Sequence, residues 1–228
     1  MAKKTVVILQ PGYLPWLGFF NQMLRSDIFV YYDDVQYDKH GWRNRNRVKT
    51  PQGPHWLTVP VLHRGRDQPL NSQMLITPDQ KWAKKHLGTI AQFYRKAPFF
   101  ETYYGKLEIL LQSPWEKLVD LNLATTAWLC EEFGIIREIY KSSELGIGGG
   151  QTERLVSLCR HFGATEYLSG SAARDYLEVP QFQAAGIEVC WHDYKHPNYS
   201  QQFGEFVPFL SSIDLLFNIG PDSIKFLT

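Results

Sequence analysis

Two short apolar runs, each followed at once by polar residues, mark the beginning of the chain. They lie at residues 6–9 and 28–32 and are rich in β-branched and aromatic residues. Runs of this length are too short for helices, and their composition is typical of buried strands. Between them, residues 19–26 form an amphipathic stretch about as long as a helix that returns a second strand parallel to the first. The pattern therefore predicts a parallel βαβ unit.

The second half of the chain shows the same alternation of apolar and amphipathic stretches. Strands are predicted at residues 137–140, 166–168 and 186–191, and helices at residues 151–162 and 211–221. Strands that alternate with helices are typical of α/β proteins with a parallel sheet. We expect an open, mostly parallel sheet flanked by helices, with a Rossmann-like architecture.

An insertion interrupts the alternation at about residues 43–75. Residues 43–48 and 55–62 flank the turn-rich segment 50–54, which predicts a β-hairpin. A helical segment follows at about residues 78–133. Its last helix is predicted to begin at Pro114, because an N-cap residue, a proline and an acid follow one another in Ser113-Pro114-Trp115-Glu116. Both insertions are expected to belong to one domain that spans residues 1–228.

Composition narrows the functional classes. The chain has 228 residues, 44% of them hydrophobic, so it can bury a core of its own. Its net charge of +1 gives no overall attraction to nucleic acids or membranes. Few residues precede the first predicted strand, which leaves no room for a signal peptide, and no apolar run approaches the roughly 20 residues of a membrane span. We expect a cytosolic protein without a membrane span.

The cysteines give no sign of a disulfide frame or a metal site. Cys130, Cys159 and Cys190 are odd in number and form no Cys-x-x-Cys pair. Free cysteines are among the most buried residue types, so we interpret the three as core thiols. No metal site is predicted.

Polar residues at the ends of the first two predicted strands form the first part of a candidate site. Gln10 follows the first strand, and Asp33, Asp34 and Gln36 follow the second. In open parallel sheets, ligands bind beyond the carboxyl ends of the strands, so these side chains are expected to face one crevice. The alternative is that Asp33 and Asp34 cap a turn and that Gln10 fixes a loop.

A cationic segment follows these acids and is expected to reach the same crevice. In an extended chain, alternation places Arg43, Arg45, Arg47 and Lys49 on one face and Asn44 and Asn46 on the other. A row of guanidinium groups suits the bidentate binding of phosphate or carboxylate. The alternative is a solvated edge strand protected by its charges. The cations of the loop at residues 63–70 could close over an anionic ligand, although most such loops only connect elements.

Later strand ends supply further candidates. Ser169 and Gly170 follow the strand at residues 166–168 and could bind an anion or a ribose. The glycine run at residues 146–150 precedes a helix but lacks the spacing of phosphate-binding fingerprints, which favours a flexible linker. The segment from residue 192 to 201 contains His196, Tyr199 and Gln201 and could place a general acid or base.

His86 is a further candidate, on a predicted helix close to Lys84 and Lys85. It lies beside the apolar stripe of that helix, which favours a packed histidine over an anion ligand.

Several blocks of residues together resemble the WbqC-like protein family. The blocks cover nearly the whole chain in one order: Gln10-Pro11, Tyr13-Leu14-Pro15-Trp16, Gly18-Phe19-Phe20, Asp33-Asp34-Val35-Gln36-Tyr37, Asn44-Arg45-Asn46, Tyr167-Leu168-Ser169-Gly170, His196-Pro197-x-Tyr199 and residues 212–218. Members of that family are encoded among bacterial surface-polysaccharide genes, such as those for O-antigen. The resemblance therefore implies work on a nucleotide-activated sugar, and for some members the attachment of an amino acid such as glycine to an amino sugar.

The chain also resembles, more distantly, the HUP superfamily of nucleotidyltransferases and class I aminoacyl-tRNA synthetases. In those proteins a first strand leads to a turn with the motif His-x-Gly-His. The corresponding residues here are Trp16-Leu17-Gly18-Phe19, which retain only the glycine. The two histidines that would stabilise a transferring phosphoryl group are missing, which argues against adenylyl transfer.

Two hypotheses about function follow. In the first, the protein is a transferase: Arg43, Arg45 and Lys49 bind nucleotide phosphates, and Asp33 or His196 removes a proton from the acceptor amine. An acyl group or an aminoacyl-tRNA is the donor, and no further cofactor is predicted. In the second, the crevice only binds a nucleotide or sugar, as in an assembly factor or a degenerate nucleotidyltransferase. The predicted substrate-binding residues are Gln10, Tyr13, Trp16, Asp34, Gln36, Arg43, Asn44, Arg45, Asn46, Lys49, Ser169, Gly170, Tyr199 and Gln201.

Overall fold

The computed structural model describes residues 3–62, 69–79 and 81–228. The strands are β1 (Thr5–Leu9), β2 (Ile28–Tyr31), β3 (Arg45–Thr50), β4 (Gly53–Thr58), β5 (Glu138–Lys141), β6 (Glu166–Gly170) and β7 (Glu188–His192). The helices are α1 (Leu17–Leu24), α2 (Lys81–Tyr94), α3 (Phe100–Gln112), α4 (Leu118–Phe133), α5 (Ser142–Leu145), α6 (Gln151–His161), α7 (Val179–Ala184) and α8 (Ile213–Ile219). Residues 63–68, which contain the cations of the predicted closing loop, lie outside the described residues.

The five strands of the βα units form one sheet in the order β5-β2-β1-β6-β7. Every neighbouring pair in that sheet is parallel. The chain extends from β1 to one side through β2 and β5, and to the other side through β6 and β7. This order confirms the predicted α/β fold, and it places a topological switch point between β1 and β6.

Both faces of the sheet are covered by packed cores. Successive side chains of a strand point to opposite faces, so neighbouring residues of β1 belong to different cores. Val6 and Ile8 of β1 pack in one core with Leu155 of α6 and Phe182 of α7. Val7, between them in sequence, packs in a larger core on the opposite face that includes residues of α1, α2, α3 and α4. A parallel sheet covered on both faces requires such continuous apolar runs. The sheet therefore holds the strand ends on a rigid support.

The predicted hairpin forms from the part of the chain that connects β2 to β5, outside the main sheet. β3 and β4 pair antiparallel, with Thr50 opposite Gly53, so β4 begins earlier than the predicted residue 55. Asn46 is buried whereas Arg45 and Arg47 are partly exposed, as the alternation predicts. Lys49 departs from that alternation, since only 1% of it is exposed. Because β3 packs against α2 and α8, the end of this strand is buried on both faces.

The helix predicted from Pro114 begins instead at Leu118. Residues 114–117 are extended, and their backbone pairs with residues 74–76: Ile76 N donates to Glu116 O at 2.8 Å, and Leu118 N donates to Met74 O at 2.9 Å. This tertiary pairing takes precedence over the local helix-start signal, which was therefore wrong by four residues. α4 ends as predicted at Gly134, whose φ of 67° is in the left-handed region that favours glycine.

All three cysteines are free, with Cys130 and Cys159 buried and Cys190 partly buried. In the part of the chain that the structure describes, no helix combines the length and the apolar character that crossing a membrane requires.

Candidate functional site

A cleft of about 830 Å³ opens at the switch point, beyond the carboxyl ends of β1, β2 and β6. We call it the central cleft. Its walls come from the strand ends, from α1 and from the start of α6, and its polar lining includes Gln10, Asp34, Gln36, Arg43, Gln151, Arg154 and Ser169. The volume lies within the range of about 300–1,000 Å³ that small-molecule sites occupy. The position is the one expected for a ligand site in an open parallel sheet.

The guanidinium of Arg43 is one of the two cations that line the central cleft among the described residues. Its guanidinium donates to the backbone carbonyl oxygens of Gln10 at 2.8 Å and of Pro11 at 3.3 Å. Among the described residues, no acidic side chain forms an ion pair with it. Burial lowers the pKa of Arg43, although a guanidinium remains protonated in proteins. Its Nε is buried and has no partner in the described residues. Arg43 is therefore a fixed positive charge suited to an anionic ligand.

Arg154 is a second cation of the central cleft, and its charge is paired. Its Nη2 lies 2.5 Å from Asp34 Oδ2, its Nε donates to Ile147 O at 2.7 Å, and its guanidinium lies 5.1 Å from the centroid of the Tyr32 ring. Asp34 also accepts a hydrogen bond from Ser142 Oγ at 2.5 Å. Asp34 thus holds Arg154 in place at the cleft wall.

The glycine run reaches the same cleft. Gly149 has φ of 128°, in the region that favours glycine. A Cβ at this position would lie 3.2 Å from Arg154 N, so the absence of a side chain allows the close approach of the two backbone segments. Gly150 is the N-cap of α6, and Gly150 N donates to Glu153 Oε2 at 3.0 Å. Gly149, Gly150 and Gln151, at the start of α6, line the cleft. Helix N-termini favour anions.

The polar residues at the ends of β1 and β6 complete the central cleft. Gln10 lies at its wall, and the side chain is oriented because Gln10 Oε1 accepts a hydrogen bond from Asn71 Nδ2 at 3.1 Å. Ser169 and Gly170 line the opposite wall, and Gln36 lies beyond β2. The structure thus brings together seven of the predicted site residues: Gln10, Trp16, Asp34, Gln36, Arg43, Ser169 and Gly170.

Asp33 does not lie in the central cleft. It is buried, and its carboxylate accepts hydrogen bonds from Ser143 N at 3.0 Å, Ser143 Oγ at 2.7 Å and Ser142 Oγ at 3.2 Å. These bonds satisfy donors at the start of α5, so Asp33 has a structural role, although it binds a distant helix rather than capping a turn, which was the alternative considered from the sequence. Both carboxylates contact Ser142 Oγ, but only Asp34 lines the central cleft.

Tyr13 belongs to a buried contact rather than to the cleft. Its hydroxyl lies 3.0 Å from His86 Nδ1, and His86 Nε2 lies 3.2 Å from Thr58 O. Because a carbonyl oxygen only accepts, His86 donates to Thr58 and accepts from Tyr13. Burial lowers the pKa of His86 to about 4, so its ring is neutral. His86 is thus a packed histidine.

The two asparagines of the predicted site hold the hairpin: Asn44 joins its two open ends, and Asn46 fixes it to the loop after β1. Asn44 Nδ2 donates to Val59 O at 2.8 Å, and Asn46 Nδ2 donates to Leu14 O at 2.7 Å. Both side chains are buried and neither lines the central cleft. They position the segment that carries Arg43.

Arg45 and Lys49, predicted to bind phosphate beside Arg43, lie elsewhere. The Arg45 guanidinium lies 4.6 Å from the centroid of the Trp56 ring and donates to His40 O at 2.6 Å. Lys49 Nζ is directed into the protein and donates to Glu205 O at 2.5 Å. Of the three cations, the structure places only Arg43 at the cleft.

Tyr199 and Gln201 belong to a buried network centred on Asp214. The Asp214 carboxylate accepts hydrogen bonds from Tyr94 Oη at 2.6 Å, from Tyr199 Oη at 2.8 Å and from Gln201 Nε2 at 2.8 Å. Tyr94 Oη accepts in turn from Lys49 N at 2.8 Å. Burial raises the pKa of Asp214, and the three donors oppose that shift. We call Lys49, Tyr94, Tyr199, Gln201 and Asp214 the buried network.

His196 packs among aromatic rings outside the central cleft. Its ring lies 5.2 Å from Phe209 and 5.5 Å from Phe206, measured between centroids, and its Nδ1 donates to Pro197 O at 2.9 Å. Burial lowers its pKa, so the ring is neutral. Its Nε2 is buried and has no partner within the described ranges.

A second cleft of about 450 Å³ adjoins the first, and we call it the side cleft. Trp16, Gln22 and Gly170 line both clefts. The Trp16 ring meets Tyr194 edge-on at 5.2 Å and lies 5.6 Å from Phe209. A Cβ at residue 18 would collide with this ring, so Gly18 is required for its position. Trp16 is therefore a fixed partition between the two clefts.

With this geometry established, the family comparison identifies the chain. The model of the WbqC-like protein family matches residues 10–226. The chain belongs to the WbqC-like protein family. An uncharacterized protein of Mycobacterium tuberculosis is 39% identical over 226 residues, which cover 98% of this chain and 97% of that protein. No solved structure matches the chain.

Two polar cleft residues of this WbqC-like chain, Gln22 and Arg154, were not predicted from the sequence. Arg154 had a detectable signal, because a cation in the first turns of a helix opposes the helix dipole and needs a partner such as Asp34. Gln22 lies on the buried face of α1, where a polar residue is unusual. His192 was predicted only as part of the segment from residue 192 to 201 that could place a general acid or base, and the structure puts it at the end of β7 and in the side cleft.

Proposed function

We propose that the central cleft binds a nucleotide-activated sugar and that the protein is a transferase of bacterial surface-polysaccharide biosynthesis that acylates the amine of an amino sugar. The single observation that carries the proposal is the convergence of an unpaired cation, Arg43, with Arg154 and the N-terminus of α6 at the switch point. A diphosphate is an anion of the size and charge that suits two guanidinium groups and a helix N-terminus. Family membership supports the polysaccharide context.

The remaining lining supports a polar, ring-bearing ligand. The amides of Gln10 and Gln36 and the hydroxyl of Ser169 can pair with the hydroxyl groups of a ribose or a hexose. The Tyr32 and Trp16 rings offer apolar faces at the two sides of the cleft. We assign the phosphates to Arg43 and the α6 end, and the sugar to the end bounded by Ser169, Gly170 and Trp16.

One observation favours a second candidate, in which the protein only binds the nucleotide sugar and acts as an assembly factor. Among the described residues, Asp34 is the only carboxylate that lines the central cleft, and it is paired with Arg154 and Ser142. The Asp34 carboxylate is thus engaged in holding Arg154 and Ser142 in place. A base for the transfer must therefore come from outside the central cleft.

Isothermal titration with a panel of nucleoside diphosphate sugars, free nucleoside diphosphates and free sugars tests the binding step. We expect binding to require the diphosphate and to weaken with increasing salt, because the contact is with an anion. Absence of binding by every member of the panel would contradict the proposal.

Mass spectrometry of the bound sugar then separates the transferase from the assembly factor. The protein is incubated with the nucleotide amino sugar and with acyl thioesters, acyl esters or aminoacyl-tRNA as donors. The transferase predicts a mass increase equal to one acyl group at the amine. Binding without any mass increase across the donor panel would favour the assembly factor.

A further inference from the structure

Gln22 carries an unused hydrogen-bond acceptor at the boundary of the two clefts. The residue is 5% exposed, and its Oε1 is buried without a partner among the described residues. Its Nε2 makes one long contact, 3.5 Å to Gly18 O. A buried amide oxygen without a partner is destabilising, so its retention indicates a donor that arrives with a ligand. The donor must reach the point where Gln22 lines both clefts.

His192 presents a second acceptor in the side cleft, and its tautomer follows from its neighbours. Asn21 Nδ2 donates to Leu227 O at 2.8 Å, which directs Asn21 Oδ1 to His192 Nε2 at 2.7 Å. An amide oxygen only accepts, so His192 Nε2 carries the hydrogen and Nδ1 carries a lone pair. No hydrogen bond to Nδ1 is found within the described residues. Burial lowers the pKa of His192 to about 4, which keeps this lone pair free near neutral pH.

The rest of the side cleft suits a sugar that bears an amine. Trp16, Tyr194 and Phe209 form an aromatic wall, and Asp193 adds a negative charge at the rim. Aromatic faces pack against the C–H faces of sugar rings, and a carboxylate favours an amine over a hydroxyl group. Together with Gln22 and His192, these residues present acceptors. Two possible donors lie beside them: the Tyr194 hydroxyl, which is buried without a partner among the described residues, and Arg174, whose guanidinium lies 4.7 Å from the Trp191 ring centroid.

We propose that the side cleft is the amine subsite of the transferase, in which Gln22 Oε1 and His192 Nδ1 accept hydrogen bonds from the primary amine of an amino sugar whose nucleoside diphosphate lies in the central cleft. This inference rests on the proposed function. It supplies the base that the central cleft lacks.

The reaction at this subsite is the acylation of the primary amine. The amine nitrogen attacks the carbonyl carbon of an acyl ester or thioester, and a C–N bond forms. The bond from that carbon to the ester oxygen or thioester sulfur breaks, and its electron pair leaves with the oxygen or sulfur. Attack makes the amine nitrogen positively charged and strongly acidic, so His192 Nδ1 takes its proton although burial lowers the pKa of His192 to about 4, and delivers it to the leaving group. The products are an amide and an alcohol or thiol, with His192 neutral again.

Nitrogen NMR of the wild-type protein tests the contact without any donor. The probes are the nucleoside diphosphate that binds in the titration, its hexosamine conjugate and the N-acetylated conjugate. We expect the His192 Nδ1 resonance to shift with the hexosamine conjugate and to remain unchanged with the free nucleoside diphosphate. We also expect the hexosamine conjugate to bind about 5- to 10-fold more tightly than the N-acetylated one. An unchanged Nδ1 resonance would overturn the amine subsite.

His192→Gln tests the proton transfer, because a glutamine keeps an N–H donor for Asn21 but cannot take up a proton. We expect affinity for the free nucleoside diphosphate to stay within about twofold and acyl transfer to fall about 100-fold or more. The exposed His161→Gln is the control and is expected to retain full transfer. A rate of acyl transfer in His192→Gln equal to that of the wild type would contradict the role of His192. If no nucleoside diphosphate binds the wild type, the proposed function fails, and this inference fails with it.

Discussion

The buried network and the two clefts use similar side chains in opposite ways. In the buried network, Asp214 accepts three hydrogen bonds, and Gln201 Oε1 accepts from Val207 N at 2.9 Å, so donors and acceptors are matched. In the clefts, and among the residues that the structure describes, Arg43 forms no ion pair with a carboxylate and Gln22 Oε1 has no donor. Polar groups that are matched within the chain stabilise the fold, whereas an unmatched group that lines a cleft is available to a ligand. Residue type alone does not separate the two, since both regions contain glutamines, cations and acids.

Removing the centre of the buried network is expected to have the largest effect. Asp214→Ala leaves three buried donors without an acceptor, so we expect the free energy of unfolding to fall by about 3–5 kcal/mol. Urea denaturation measures this change. Asp222→Ala is the matched control, because Asp222 pairs with Lys225 on the surface, and its effect is expected to stay below about 1 kcal/mol. Equal effects of the two variants would show that the network contributes little.

Arg43→Gln and Arg45→Gln sharpen the comparison with two cations only two residues apart. Arg43 lies at the cleft and Arg45 stacks on Trp56. We expect Arg43→Gln to raise the Kd for a nucleoside diphosphate about 10- to 100-fold and to reduce its salt dependence. Arg45→Gln is expected to change the Kd less than about twofold. Titration calorimetry measures both, and a larger effect from Arg45→Gln would contradict the assignment of the phosphate site.

The two buried histidines predict how stability depends on pH. Burial lowers the folded-state pKa of His86 and of His192 to about 4, below their ordinary value of 6.5. The unfolded chain therefore binds more protons between about pH 4 and 6.5, so stability falls as the pH is lowered through that window.

His86→Gln tests this dependence. We expect it to reduce the slope of unfolding free energy against pH by up to about 1.4 kcal/mol per pH unit in the window. Between pH 7 and 8 the difference between wild type and variant is expected to be constant, which serves as the internal control. Identical slopes below pH 6.5 would contradict a neutral, buried His86.

Gln22→Met has the smallest expected effect on stability and tests the cleft side of the comparison. The side chain makes only one long hydrogen bond and keeps an unpaired oxygen, so we expect the free energy of unfolding to change by less than about 1 kcal/mol. The Kd for the hexosamine conjugate should rise several-fold while that for the free nucleoside diphosphate stays constant. A large loss of stability would show that Gln22 stabilises the fold, as the residues of the buried network do.

The fold was predictable because its signals are local. The apolar runs of β1 and β2 alternate between two cores, so their composition alone indicates strands buried on both faces. The strand-end rule then found Gln10, Asp34 and Ser169. The start of α4 was missed because the backbone of residues 114–117 pairs with residues 74–76, a contact that no local pattern reveals.

Much of the site depended on distant partners. Asp33 caps α5 through Ser142 and Ser143, which follow it by 109 and 110 residues, so the sequence could not separate it from Asp34. Alternation placed Arg43 and Arg45 on one face, but only the fold shows that Arg43 turns towards Gln10. Lys49, Tyr199 and Gln201 were predicted as ligand contacts, but Tyr199 and Gln201 bind the distant Asp214, and Lys49 N binds Tyr94 Oη of the same network.

A crystal structure of the protein with its nucleoside diphosphate bound is the most direct test of the central claim. The account predicts phosphate oxygens about 2.7–3.2 Å from the Arg43 guanidinium and from the first backbone amides of α6. A nucleotide bound instead at the exposed face of the hairpin, between Trp42, Trp56 and Arg45, would contradict it.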